Sequence, residues 1–295
     1  MTITSTPFEV EPFFDGATHT FSYLLVDPAT NEAAIVDSVL DFDAASCRTG
    51  TVSAERIAAR VEALGAKVRW LLETHVHADH LSAAPWLRER VGGRIAIGAR
   101  IARVQRALAG LFDAGPGEPC DGREFDRLFA DGECFALGRL ALQALHTPGH
   151  TPACTSYVVR SGGACAAFVG DTLFMPDYGT ARCDFPGGDA ATLYRSIARL
   201  LALAPRTRLF TAHDYPPAGR EARCETTVAE QRAHNVHVRD GVGEAEFVAL
   251  REARDATLKM PALMLPSVQV NLRAGRLPEP AANGIRYLRI PLDAL

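Results

Sequence analysis

The chain has 295 residues, of which 47% are hydrophobic and 22% charged, with 24 glycines and 18 prolines. Such a composition is typical of a folded globular protein and excludes the collagen-like, disordered and disulfide-scaffold classes. Lysine and arginine total 31 against 35 acidic residues, so the formal net charge is -4. Because there is no basic excess to attract phosphates or anionic lipids, we expect no nucleic-acid partner and no membrane partner.

The predicted elements begin with a hairpin and a helix. Two apolar runs within 20–37, separated by turn-forming residues, predict a β-hairpin. Ser53 is the predicted N-cap of an amphipathic helix, and Gly65 is its predicted end. Residues 68–72 then predict a buried strand, which completes a unit of two strands joined through a helix.

The rest of the chain continues to alternate between helical and strand patterns. In order, it predicts a helix at about 86–92, a strand at 94–98, a helix at about 100–111, a loop at 113–122, strands within 134–145, 155–160 and 164–169, a helix at about 191–203, a strand at 208–211, and helices ending near 238 and 258. This alternation indicates an α/β protein. We expect a single domain over 1–295, with a core of about 8–220 and a C-terminal extension of about 221–295.

The N-terminal residues and the cysteines bear on location. The first ten residues carry no positive charge and no apolar run, unlike a secretory signal. No apolar stretch approaches the ~18 residues of a membrane span. The seven cysteines include no Cys-x-x-Cys pair, which is typical of a reducing compartment. We therefore expect a cytoplasmic protein.

Four potential metal ligands lie within six residues, directly after the predicted strand at 68–72. They are His75, His77, Asp79 and His80. Burying imidazoles and carboxylates so close together costs free energy unless a cation compensates them. Open α/β sheets also bind their ligands beyond the carboxyl ends of strands. The cluster therefore predicts a metal site.

Three later strands are also followed by potential ligands. His150 ends the sequence His-Thr-Pro-Gly-His after one strand, Asp171 follows a second strand, and His213 follows a third. A single such residue would mean little, but four strand ends that carry the same chemistry indicate one shared site.

These motifs, in this order, resemble those of the metallo-β-lactamase superfamily. They are His-x-His-x-Asp-His at 75–80, Gly-His at 149–150, Gly-Asp-x-Leu-Phe at 170–174 and the later His213. The resemblance implies an α/β fold, the αββα sandwich of two mixed β-sheets flanked by helices, here with a mostly helical C-terminal appendage. It also implies that loops at one edge of the sheets hold the metal.

Within this superfamily, three stretches resemble the persulfide dioxygenases, also called sulfur dioxygenases. They are 74–83 (THVHADHLSA), the segment from Asp171 to Phe185, and 213–215 (HDY). The tail at 260–271 resembles a bacterial subgroup of these enzymes.

The persulfide dioxygenase resemblance implies one Fe(II) per chain, held by His75, His150 and Asp171. Two imidazoles and one carboxylate leave about three coordination positions open, which lets non-haem iron bind a substrate beside O₂. The remaining donors would then orient the ligands and the metal-bound water. These are His77, Asp79, His80 and His213.

The implied substrates are glutathione persulfide and O₂, and the products are glutathione and sulfite. The resemblance places the glutathione carboxylate near Arg182 and Tyr215, and a guanidinium can hold a carboxylate through two hydrogen bonds. A solvated loop arginine and a tyrosine packed on Pro216 are the alternatives. Cys183 is either a substrate-proximal thiol or an inert buried one.

A glyoxalase II-type thioester hydrolase is the alternative activity. In such an enzyme, two metals bridged by Asp171 generate hydroxide, and all seven donors that this chemistry needs are present. Because N/O sites generally prefer Zn(II) to Fe(II), the residues leave the identity and number of the metals open. A homo-oligomer is compatible with the sequence, and we expect the region 100–122 to narrow the substrate channel or to form a subunit contact.

Overall fold

Two six-stranded β-sheets lie face to face at the centre of the fold, and helices cover the outer face of each sheet. The computed structural model describes residues 7–112, 120–217 and 219–294. In chain order the strands are β1 (Glu9–Asp15), β2 (Thr20–Asp27), β3 (Glu32–Val36), β4 (Val39–Asp43), β5 (Arg48–Gly50), β6 (Lys67–Leu72), β7 (Leu81–Ser82), β8 (Arg94–Gly98), β9 (Arg127–Phe129), β10 (Cys134–Leu137), β11 (Leu140–His146), β12 (Thr155–Ser161), β13 (Ala164–Phe168), β14 (Arg208–Phe210) and β15 (Glu225–Thr227). The helices are α1 (Val52–Leu64), α2 (Ala84–Val91), α3 (Ile101–Leu108), α4 (Ala190–Leu201), α5 (Val228–His234), α6 (Glu244–Asp255) and α7 (Met264–Asn271).

Both large sheets are mixed. The first has the order β1-β2-β3-β6-β8-β9, and the second has the order β10-β11-β12-β13-β14-β15. The neighbours from β3 to β9 pair in parallel, as do β13 and β14, whereas the other neighbours are antiparallel. A small sheet, β5-β4-β7, lies beside them. The predicted α/β sandwich is therefore confirmed.

The alternation of side chains along β2 shows how one strand serves two cores. Leu24 and Val26 pack in the cluster that includes residues of α1 and α2, whereas Tyr23 and Leu25 pack in the cluster between the two sheets. Successive strand residues point to opposite faces, so a strand that is apolar throughout fits a sheet covered on both sides.

The C-terminal extension contributes to both outer layers. Val228 of α5 and Phe247 of α6 pack against α4 over the second sheet. Met264 and Val268 of α7 instead join the helical layer over the first sheet. The mostly helical appendage is thus integrated into the sandwich, and its helices reach both sides of the molecule. Among the described residues, no helix has the length and apolarity that crossing a bilayer requires.

The predicted elements in the first third agree with the structure except at one cap. The hairpin and α1 are present, and Gly65 adopts φ 58° at the end of α1. The N-cap, however, is Thr51 and not Ser53, because the helix begins at Val52. The helix predicted at about 100–111 ends at Leu108.

Some elements had no signal in the sequence. Strands β1, β4, β5, β7, β9 and β15 and helix α7 were not predicted. Most of these strands are short, and β7 has only two residues. Segments of this length are too short to show the alternation of apolar and polar residues that predicts a strand. The predicted loop at 113–122 falls mostly outside the described residues.

Gly149 stands where the backbone must approach helix α4. Its φ is 140°, and a Cβ on this residue would lie 2.3 Å from Cα of Leu193. Its carbonyl accepts a hydrogen bond from the backbone N–H of Asp189, the N-cap of α4. Only glycine tolerates both this backbone conformation and this contact, which places the adjacent His150 at the edge of the sheet.

We expect Gly149→Ala to lower the free energy of unfolding by at least about 2 kcal/mol, because the methyl group overlaps the α4 backbone in an unfavourable φ region. Urea denaturation followed by circular dichroism measures this. Gly92→Ala is the matched control, since Gly92 also has positive φ (80°) but its Cβ would meet no atom within 4 Å. Equal losses in the two variants would show that the contact with Leu193 is unimportant.

Candidate metal centre

Asp171 lies at the middle of a buried group of histidines. Its Oδ2 is 3.8 Å from Nε2 of His75 and 3.6 Å from Nε2 of His150. Its Oδ1 is 3.3 Å from Nε2 of His213, which lies a further 3.3 Å from Oδ2 of Asp79. The two oxygens of one carboxylate thus face two different sets of donors.

The donors come from loops that follow β6, β11, β13 and β14, in agreement with the prediction that each donor lies just beyond the end of a strand. Their atoms form two compact groups, and within each group the donor atoms lie within 4.8 Å of one another. The groups are His75, His150 and Asp171, and His77, Asp79 and His80. His213 faces the carboxylates of both groups, so the structure brings all seven predicted donors together.

Hydrogen bonds to the protein orient the imidazoles of the first group. Nδ1 of His150 donates to the backbone carbonyl of Arg182 at 2.8 Å. Nδ1 of His75 lies 3.0 Å from Oγ1 of Thr74, which itself donates to Asp37 at 2.8 Å and therefore accepts from the histidine. In both rings this leaves the Nε2 lone pair directed toward Asp171.

The other three imidazoles are held in the same manner. Nδ1 of His80 bonds to the carbonyl of Leu81 at 3.1 Å, and Nδ1 of His213 bonds to the carbonyl of His19 at 3.2 Å. His77 is reversed, because its Nε2 lies 3.1 Å from Asp37 and its Nδ1 remains toward the site. Each ring therefore has one nitrogen anchored by the protein.

The opposite nitrogens provide a test of whether a metal fits. Nε2 of His75, His80 and His213, Nδ1 of His77 and Oδ1 of Asp171 are buried and make no hydrogen bond within the described parts of the chain. Buried polar atoms normally have partners, so a convergent set without them requires an explanation. A cation bound by these atoms supplies one, and the donor set fits a transition metal.

The pKa values of the imidazoles reflect burial and the charges of neighbouring groups. Burial, followed by repulsion from His77, lowers the pKa of His75 well below its ordinary value and that of His80 to about 4. Burial would also lower the pKa of His77, but Asp37 and Glu73 outweigh it and raise that pKa well above its ordinary value. His75 and His80 are therefore neutral near pH 7, as metal ligands must be, while the carboxylates attract positive charge.

A family model described as the metallo-beta-lactamase superfamily matches residues 15–213. The chain belongs to this superfamily. The crystal structure of ETHE1 from Myxococcus xanthus has the same fold, with a TM-score of 0.71 and 29% sequence identity over 91% of this chain and all of that one.

Relatives in this superfamily carry different functional names. The chain is 64% identical to a "Probable metallo-hydrolase" of Burkholderia pseudomallei, over 97% of this chain and 99% of the relative. It is 44% identical to "Glyoxylase B2" of Dictyostelium discoideum, over 97% of each protein. It is 29% identical to the human mitochondrial persulfide dioxygenase ETHE1, over 91% of this chain and 89% of that protein.

Arg182 adjoins the first donor group of this metallo-β-lactamase centre, but its guanidinium is already engaged. It forms two hydrogen bonds with Asp184, at 2.6 and 2.5 Å, and a third with the carbonyl of Lys259 at 2.7 Å. It also lies over the ring of Phe185, 5.1 Å from the centroid. A substrate carboxylate would have to compete with Asp184 for this cation.

Tyr215 and Cys183 lie in different surroundings. Tyr215 stacks on His213 with a centroid distance of 5.8 Å, and its ring is 5.0 Å from that of Tyr178. Tyr215 therefore adjoins His213, whereas Arg182 adjoins His150. Cys183 packs in the apolar cluster under α4, and burial raises the pKa of its thiol, which favours the inert interpretation.

Sequence reasoning missed the residues that support the donors. Asp37 follows β3, so the strand-end signal that identified Asp171 could have found it. Glu73 begins the ligand loop and lies 3.5 Å from Nε2 of His77, so its place directly after β6 was also a usable signal. Asn271 and Arg251 lie far along the chain and carry no local signal.

Helix α6 braces the loop that carries the Arg182 carbonyl. Arg251, which is 1% exposed, donates to Asp255 at 2.7 Å and to the carbonyl of Thr180 at 3.1 Å. Asp255 in turn accepts from the backbone N–H of Cys183 at 2.8 Å. This buried ion pair thus holds both sides of the residue that orients His150.

We expect Arg251→Met to lower the free energy of unfolding by about 3–5 kcal/mol, because it leaves Asp255 buried without its cation. Chemical denaturation of the protein measures this loss. The double variant Arg251→Met, Asp255→Asn should recover part of it, since no buried charge then remains unpaired. Arg232→Met, in an exposed pair with Asp240, should cost below about 1 kcal/mol. If Arg251→Met lowers the free energy of unfolding no more than Arg232→Met does, the buried pair of Arg251 and Asp255 does not brace this loop.

Proposed function

We propose that the protein is a persulfide dioxygenase that uses one Fe(II) per chain to oxidise glutathione persulfide with O₂. The observation that carries this proposal is the group formed by His75, His150 and Asp171, whose donor atoms lie within 4.8 Å of one another. Two imidazoles and one carboxylate with open positions are typical of non-haem Fe(II) oxygenases. The similarity to the human persulfide dioxygenase, across 91% of this chain, supports the same activity.

The overall reaction is GSSH + O₂ + H₂O → GSH + SO₃²⁻ + 2H⁺. Bound Fe(II) would supply the redox chemistry that activates O₂ toward the outer sulfur. The protein orients the donors through Thr74 and the Arg182 carbonyl. Asp37 hydrogen-bonds both Thr74 and His77, so these contacts orient the donors before any substrate binds.

The second donor group has a supporting role in this proposal. His213 lies 3.3 Å from Oδ1 of Asp171 and 3.3 Å from Oδ2 of Asp79, so it links the centre to the group formed by His77, Asp79 and His80. These side chains can hold water by hydrogen bonds and accept or donate protons. Asp79 carries a negative charge near pH 7: burial would raise its pKa, but His213, His80 and His77 together outweigh burial and lower it to about 2.

A dinuclear thioester hydrolase of the glyoxalase II type is the second candidate. The specific observation that favours it is the Asp171 carboxylate, whose two oxygens face separate donor sets as a bridging ligand would. The names of the relatives at 64% and 44% identity also favour a hydrolase. Zn(II) would suit this chemistry, in which two metals generate a hydroxide nucleophile.

Metal analysis with two activity assays separates the candidates. We expect protein reconstituted with Fe(II) under anaerobic conditions to contain one iron per chain and to consume O₂ on addition of glutathione persulfide. His75→Ala should lose the iron and at least about 99% of the rate, since it removes a ligand of the first group. His80→Ala should still bind one iron at saturating Fe(II), because it removes a residue that only orients the ligands, a change that weakens metal binding by about 10–100-fold without removing the site.

A hydrolase would give a different metal content and a different activity in the same samples. Two metals per chain, hydrolysis of a glutathione thioester, and loss of one metal in His80→Ala would establish it. Absence of O₂ uptake above the His75→Ala background in iron-loaded wild type would refute the dioxygenase proposal.

Arg182 is the proposed anchor for the glutathione carboxylate, with Tyr215 as its companion. We expect Arg182→Lys to raise KM for glutathione persulfide by about 10-fold with a smaller change in kcat, because an ammonium cannot make the bidentate contact. Asp184→Asn is the matched variant: it removes the internal competitor and should lower KM. Steady-state O₂ consumption measures both constants. An unchanged KM in Arg182→Lys would mean that the guanidinium only pairs with Asp184.

A further inference from the structure

Helix α7 connects the C-terminal extension to the ligand loop. Its apolar residues Met264, Val268 and Val270 pack in the same cluster as Leu81 and Leu87, which follow that loop on the chain. The helix is therefore fixed against the first sheet by apolar burial. Its last residue, Asn271, is 4% exposed and is buried against the loop.

The side-chain amide of Asn271 makes three hydrogen bonds, all to the backbone of residues 77–82. Nδ2 donates to the carbonyl of His77 at 2.9 Å and to the carbonyl of His80 at 2.8 Å. Oδ1 accepts from the backbone N–H of Ser82 at 2.8 Å. Both donor hydrogens of the amide are used within one turn of the loop.

The loop needs such a clamp because it has no strand partner before β7. The carbonyls of His77 and His80 would otherwise lack the partners that buried backbone groups need. The hydroxyl of Ser82 also donates to Glu73 at 2.6 Å, and Glu73 lies 3.5 Å from Nε2 of His77. Asn271 thus completes a closed ring of contacts behind the ligands.

We propose that Asn271 is a positioning residue of the metal centre: by fixing the backbone at His77 and His80, it aims the donors that project from this loop. The proposal rests on the metal site of the proposed function but on neither of its reactions. It gives α7 a role in metal affinity that burial of its apolar face alone would not produce.

The helix offers a matched control for this residue. Ser267 lies on α7, four residues before Asn271, and its buried hydroxyl makes no hydrogen bond within the described residues. Ser267→Ala therefore changes the packing of the same helix without removing a hydrogen bond to the ligand loop. Asn271→Asp is a second probe, because it keeps the acceptor for Ser82 and loses both donations to the carbonyls.

The experiment measures Co(II) binding to metal-free protein by chelator competition, together with the visible spectrum of the Co(II) form. We expect Asn271→Ala and Asn271→Asp to bind Co(II) about 10–100-fold more weakly than wild type and to shift its d–d bands. Ser267→Ala should retain both affinity and spectrum. The spectrum reports ligand geometry, which a loss of fold stability alone does not change.

Two results would overturn the proposal, and they differ from failure of the proposed function. Affinities and spectra of the Asn271 variants equal to those of Ser267→Ala would leave Asn271 a packing residue only. If Asn271→Ala does not fold, Asn271→Asp decides between the same outcomes. Wild-type protein that binds no Co(II) would remove the metal site itself, and with it both proposals, whereas binding without O₂ uptake would remove only the dioxygenase activity.

Discussion

The centre depends on the interaction of the Asp171 carboxylate with the imidazoles around it. Each of its oxygens faces imidazole nitrogens that come from different loops, and those nitrogens are buried. Without a cation, so many lone pairs and a negative charge would oppose burial in a low-dielectric site. The fold must therefore hold the loops in place by means that are independent of the donors themselves.

The sandwich provides those means. Three apolar layers, one between the sheets and one under each helical layer, fix the strands from which the loops emerge. Polar contacts then adjust each imidazole, and in each case the partner is a backbone carbonyl, a hydroxyl or the carboxylate of Asp37. Packing sets the position of the loops, and hydrogen bonds set the orientation of the rings.

The donors could be predicted from the sequence because each follows an apolar strand, and ligand sites of α/β proteins lie beyond the carboxyl ends of strands. The strands are β6 of the first sheet and β11, β13 and β14 of the second, and their ends meet at one edge of the sandwich. The supports of the donors could not be predicted. Asn271 is 194 residues from His77, and nothing in a short window relates an asparagine at the end of a helix to a histidine loop. Arg182 shows the converse problem: the resemblance predicts that this cation binds the substrate, but its ion pair with Asp184 becomes visible only in the folded structure.

The hydrogen bonds from α6 and α7 have a consequence for how the protein matures in the cell. The loop that orients His150 and the loop that carries His77 and His80 are both secured by residues beyond position 250. A ribosome-bound chain that already contains every donor still lacks these braces, since synthesis proceeds from the N-terminus. The hydrogen bonds that fix the backbone on either side of Arg182 and at His77 and His80 therefore form only once α6 and α7 have been synthesised.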